Sequence, residues 1–259
     1  MPIWLVLALA MTVSCGTVIT LASLRRRRRG ESETDEEDTS ETPDVVEYMI
    51  MMIGVVYAIV LGLAIAGVWE ERNSAAEWVR LEAQALHEVH ERVAAYPEEV
   101  REQVRGDVDA YVAHTVGTEW PRMTEHGELS PRGDALLDRV REQVAGFEPA
   151  GTLESHAYQG LVDQVAAAHE ARTARSQSAG TTMPGLVWFG LLSGAVVVVG
   201  MIFALQIRRN GRELLLAGLF TALIAFLLFL IWAFDAPYAR GLSESTEPFL
   251  ALFPQAAPG

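Results

Sequence analysis

The chain has 259 residues, half of them hydrophobic, yet its net charge is −14 at neutral pH. Those facts coexist only if apolar and charged residues are segregated, and so acidic a protein excludes nucleic acid as a partner, because phosphate binding needs a basic face. All twenty basic residues are Arg, which points to a GC-rich bacterial genome, and with Cys15 alone no intrachain disulfide can form.

The first apolar stretch, 1–24, lacks a basic leader, and its charges follow the apolar run instead of preceding it. That order fits a retained transmembrane helix better than a cleaved signal. Residues 25–47 comprise Arg25, Arg26, Arg27, Arg28 and Arg29, then a linker over Gly30–Asp44 with eight acidic residues, expected to be a disordered spacer. Crossing ~30 Å of hydrocarbon takes about 20 apolar residues in a helix. Three further stretches meet that length, 48–69, 186–207 and 214–234, and none contains Asp, Glu, Lys or Arg. A basic loop, 208–213, joins the last two, and a tail, 235–259, closes the chain. Between the second and third stretches, 70–185 holds 21 acidic residues and 11 Arg. The expected fold is all-α: an integral membrane protein with four transmembrane helices and a soluble helical-bundle domain inserted between the second and third.

Small residues recur at four-residue spacing on these spans, at Gly54, Ala58, Gly62 and Ala66 and at Gly190 and Gly194. In lipid, helix association rests on close approach, so these faces are expected to serve packing within the chain or a homo-oligomer interface. Arg25–Arg29 and Arg208, Arg209 and Arg212 fall on the same side after four crossings. By the positive-inside rule that side is cytoplasmic, which places 70–185 outside the cytoplasm. Within 20 residues of its membrane ends the insert has Arg72, Arg80, Arg172 and Arg175, four against eight.

The insert has helical periodicity. Ala75, Val79, Ala83, Leu86, Val89 and Val93 mark one face of a run continuing from the second span. Pro97 opens the next helix, with Val100, Val104, Val108, Tyr111 and Thr115 on one face. Ser130-Pro131 caps and starts a third, and Thr152 opens a fourth through Leu161, Val165 and Ala168. All six histidines lie here. His87 and His90, one turn apart, could present two metal ligands, but the spacing is not that of a zinc-protease helix, and surface histidine is the commoner case. No nucleophile elbow, phosphate loop, dinucleotide turn or Cys-pair site occurs, so neither catalysis nor a cofactor is expected. The spans also lack the buried carboxylates that mark ion-coupled pumps.

Several short motifs together resemble the bestrophin-like domain family of bacterial membrane proteins. They are Gly54-Val-Val-Tyr57-Ala-Ile-Val-Leu-Gly62 opening a span, Trp69-Glu-Glu after it, Glu119-Trp120-Pro121 in the insert, and Phe234-Asp235-Ala-Pro237-Tyr238 closing the last helix. The resemblance covers roughly 45–252; Tyr238 departs from the commoner Phe. It implies kinship with bestrophins, pentameric ion channels of four membrane helices, whose helical body is cytoplasmic. The expected function is therefore an oligomeric, non-enzymatic ion channel in contact with membrane lipid. The alternative is a membrane-anchored sensor or scaffold whose helical domain binds a protein or cell-envelope ligand. Glu119, Trp120, Pro121 and Asp235 are expected to serve packing and capping, not ligand binding.

Overall fold

The computed structural model describes residues 44–149, 151–204, 211–239 and 245–257. The expected first span, Arg25–Arg29, the acidic linker, Arg208 and Arg209 lie outside the described residues, and of Arg212 only the backbone is described. Among the described residues all regular structure is helical.

Helix α1, Asp44–Arg92, runs unbroken from the apolar stretch into the amphipathic one. It contains no Pro and passes into a 3-10 turn, Val93–Ala95, just before Tyr96-Pro97. Tyr96 is extended (φ −91°, ψ 161°), as the residue ahead of a proline must be. Helix α2, Glu98–His114, begins after Pro97 with Glu98 and Glu99 in its first turn, where the helix dipole favours acids. A π-helical turn, Thr115–Glu119, joins it to α3, Trp120–His126. Pro121 has no N–H to give the carbonyl four residues back, and the helix widens just ahead of it. Gly127 then ends α3 in the left-handed region (φ 70°), the usual glycine stop. Helix α4, Pro131–Ala145, starts at Ser130, whose hydroxyl accepts from Arg132 N at 3.1 Å. Helix α5, Thr152–Gln177, completes the insert. It is followed by α6, Gly185–Ala204, α7, Gly211–Phe234, and the short α8, Glu247–Leu252.

The chain divides into two compact units: 1–68 with 183–233, and 69–182 with 234–259. Among the described residues, two helices are long and apolar enough to cross a membrane, within Tyr48–Ala95 and Leu215–Phe234; Gly185–Met201 is apolar but shorter. Only 17% and 22% of the two apolar windows are buried, whereas the core helix of a soluble protein would be mostly enclosed. The second unit has a continuous core from α1, α2, α4 and α5, including Val79, Leu86, Val108, Leu137, Val140 and Leu161. The segment expected as a tail belongs to this core: Tyr238, Phe249 and Phe253 are fully buried in it.

Candidate functional site

The chemistry of the second unit concentrates where its core is charged. On α5, Leu161, Val165 and Ala168 set a stripe that continues through Arg172 and Arg175. On α1 the stripe Ala75, Val79, Leu86, Val89 passes through Glu82, and on α2 Val104, Val108 and Tyr111 lead to Glu119 after the π turn. The apolar face of each helix therefore carries an ionic residue into the interior. Glu82, Glu119 and Arg175 are 0% exposed and Arg172 is 3% exposed.

Burying charge is costly unless it is paired and hydrogen-bonded, and here every carboxylate meets a guanidinium. Arg172 donates through Nη1 and Nη2 to Glu119 at 2.7 and 2.8 Å, a bidentate pair. Arg175 donates from Nη2 to Glu119 at 2.9 Å and from Nε and Nη2 to Glu82 at 2.7 and 3.0 Å. Ser130 N gives Glu119 a fourth hydrogen bond at 3.0 Å, while Arg172 also reaches Ser130 O at 3.1 Å and Asp134 at 2.8 Å. The Tyr111 hydroxyl donates to Glu82 and accepts from Arg172 Nη1. Gly133 makes the close approach possible: a Cβ there would stand 2.3 Å from Glu119 Oε2 and 2.5 Å from Arg172 Nη2.

Burial alone would raise the Glu119 pKa, but the Arg172 hydrogen bonds, the charges of Arg175 and Arg172 and the Ser130 N–H together hold it below the ordinary value. Burial would lower both arginines, and the surrounding acids hold both above theirs. Burial, then Glu82, pushes Tyr111 up, so its phenol stays protonated. Next to the cluster, His114 Nε2 lies 3.0 Å from Ser130 Oγ, and desolvation holds its pKa low. Two carboxylates and two guanidiniums cancel. The arrangement contains no activated nucleophile and acts as an internal strut joining α1, α4, α5 and the π turn.

Of the motif residues, Glu119 is the centre of this strut. Trp120 is buried with its edge toward Tyr238 (5.8 Å, 80°), and Pro121 is exposed. Tyr238 donates to Ala75 O at 2.8 Å, buried Pro237 precedes it, and Thr182 N donates to Asp235 O at 2.8 Å. Trp69 and Arg72 both contact Phe234, at 5.3 and 5.4 Å. Most of the motifs in this unit are thus sites of tertiary packing. His87 and His90 each stand nearly perpendicular to Phe253, at 5.9 and 6.1 Å. Among the described residues no group of three or more His, Cys, Asp or Glu is placed to hold a metal.

In the first unit, Tyr57 donates to Leu191 O at 2.9 Å, and its ring lies against Gly194, where a Cβ would come within 2.6 Å. The face of α1 buried there is Tyr57, Leu61, Ala64 and Val68. The neighbouring small-residue face is open: Ala58, Gly62 and Ala66 are exposed, and among the described residues nothing approaches a Cβ at Gly54, Gly62 or Gly190 within 4 Å.

Glu82, Arg172, Arg175 and Tyr111 go unrecognised as a site in the sequence, although the heptad spacing of 161, 165, 168, 172 and 175 puts both arginines on an apolar stripe. Counting Arg172 and Arg175 as topology signals also overstates the insert: neither offers a free charge to a membrane surface.

The profile of the Bestrophin-like domain family matches residues 10–249. Among solved structures, the fold is similar to the crystal structure of a bacterial bestrophin homologue from Klebsiella pneumoniae carrying one point substitution, at 12% identity and a TM-score of 0.66, covering 96% of this chain and 95% of that one. No curated protein matches.

Proposed function

The chain belongs to the Bestrophin-like domain family, and on that premise we propose that it is a non-enzymatic, oligomeric protein of the cell membrane that passes small ions. The observation that carries this reading is a likeness in fold to a bacterial bestrophin homologue that extends over nearly the whole of both chains. The open apolar faces of α1 and α7 suit contact with lipid. Among the described residues, the hydroxyls of Tyr57, Ser193 and Thr221 serve backbone carbonyls, those of Leu191, Gly190 and Ala217, which leaves them little to offer a pore lined within one chain. The pore then forms between copies, and the small-residue face at Gly54, Ala58, Gly62 and Ala66 is the surface on which copies approach. Reconstituted protein should be oligomeric by mass and conduct ions; a monomer without flux would refute the reading.

Four spans with the helical unit outside the cytoplasm complete the proposal. With Arg172 and Arg175 consumed in buried pairs, the insert keeps Arg72 and Arg80 near its membrane ends against eight Arg in the two loops. That asymmetry also favours the second reading, a sensor or scaffold. A cysteine at exposed Glu125, in a Cys15→Ser background, should react with an impermeant maleimide on intact cells. Reaction only after lysis would put the unit in the cytoplasm and remove the sensor reading. Gly127 is a poorer labelling site, being left-handed, with a Cβ position 3.2 Å from Ala179 O.

A further inference from the structure

Beside the helix pair α1 and α5 lies a groove of about 600 Å³ that none of the packing above fills. Trp78, Leu81, Ala85 and Glu88 line it from one face of α1, at i, i+3, i+7 and i+10, and Ala167 and Ala171 line it from α5, with Leu252 of α8 at its end. This is within the size that small-molecule sites occupy, roughly 300–1,000 Å³. Its walls combine these apolar and aromatic groups with Gln84, Gln164 and His87, and the alanines leave the space open.

The charge of the lining selects among ligands. It carries the carboxylates of Glu88 and Glu170, the imidazole of His87 and no arginine. Glu88 is bridged to Arg92 at 2.7 Å, whereas among the described residues no cation pairs with Glu170. An acidic rim over low-dielectric walls concentrates cations and repels anions, and an indole in the wall adds attraction for an ammonium group. We propose that this groove binds a small organic cation with an apolar body, an arylalkyl or quaternary ammonium compound. The site does not depend on the channel reading, since binding is read whether or not ions pass.

The test uses the full chain purified in a neutral detergent, with benzyltrimethylammonium as the probe and isothermal calorimetry as the readout. Wild-type protein should bind it saturably and bind uncharged benzyl alcohol far more weakly. Glu170→Gln should weaken binding about tenfold, the loss of roughly 1.4 kcal/mol of charge attraction. Ala167→Trp, at an exposed position, should fill the groove and abolish binding without lowering the thermal midpoint. Absent binding to wild type, equal binding of benzyl alcohol, or unchanged affinity in either variant would overturn the proposal.

Discussion

Replacing Glu119 with Gln keeps the shape of the side chain and removes its charge from the centre of the strut. Glu119 accepts two hydrogen bonds from Arg172, one from Arg175 and one from Ser130 N, all at 3.0 Å or less. The amide oxygen of Gln can serve only part of that set, and its NH2 would face guanidinium donors. Arg172 then keeps exposed Asp134 and Arg175 keeps Glu82, but the interior holds one excess positive charge. Breaking a buried ion pair on one side costs about 3–5 kcal/mol. At roughly 2–4 °C per kcal/mol for a chain of this size, the midpoint should fall by about 6–20 °C. The assay is helical circular dichroism of purified protein on heating, at one scan rate, because membrane proteins often unfold irreversibly. A double cycle with Arg172→Gln should show coupling, the pair costing less than the sum of the singles. A Glu119→Gln midpoint within about 2 °C of wild type, or strict additivity in the cycle, would refute the strut.

Gly133→Ala leaves every charge in place but puts a methyl against the Glu119–Arg172 pair, so a loss of about 1–3 kcal/mol is expected in the same melt. Stability should also fall with acid in two stages. His114 has a lowered folded pKa, so the unfolded chain binds its proton first and stability drops as pH falls below about 6.5. Glu119, also lowered, contributes stability above the ordinary carboxylate range that is lost as pH falls through its folded value. His114→Gln should remove the first stage of the midpoint-versus-pH curve and leave the second; a curve with the first stage intact would count against it. On the apolar helices, Gly194→Ala meets the Tyr57 ring and should lower the melting midpoint of the chain itself. Gly62→Leu meets nothing within 4 Å among the described residues and should instead reduce the assembled mass in light scattering. Assembly unchanged by Gly62→Leu would mean that this face is not where copies meet.

Much of the helical framework is legible in the sequence because its signals are local. Apolar runs free of charge mark the apolar lengths of α1, α6 and α7, Ser130-Pro131 starts α4, and Tyr96-Pro97 follows the end of α1. The strut is harder to read because each of its members has an ordinary local explanation. Arg172 and Arg175 near a span resemble topology anchors, Glu82 beside Ala83 resembles the solvent side of its stripe, and Tyr111 passes as an apolar member of α2. Only tertiary contact, over sequence separations such as 93 residues between Glu82 and Arg175, identifies them as partners. The final segment is obscure for a different reason. Phe249 and Phe253 are too few to show a period, and their burial depends on a surface supplied by α1 and α2.

Liposome flux is the direct test of ion conduction. Full-length protein would be reconstituted into liposomes loaded with an ion-sensitive dye, with voltage, pH and calcium varied across the bilayer. Flux above that of protein-free liposomes is expected, diminished by Gly62→Leu through loss of assembly. Folded, oligomeric protein that passes no ion under any of these conditions would contradict it.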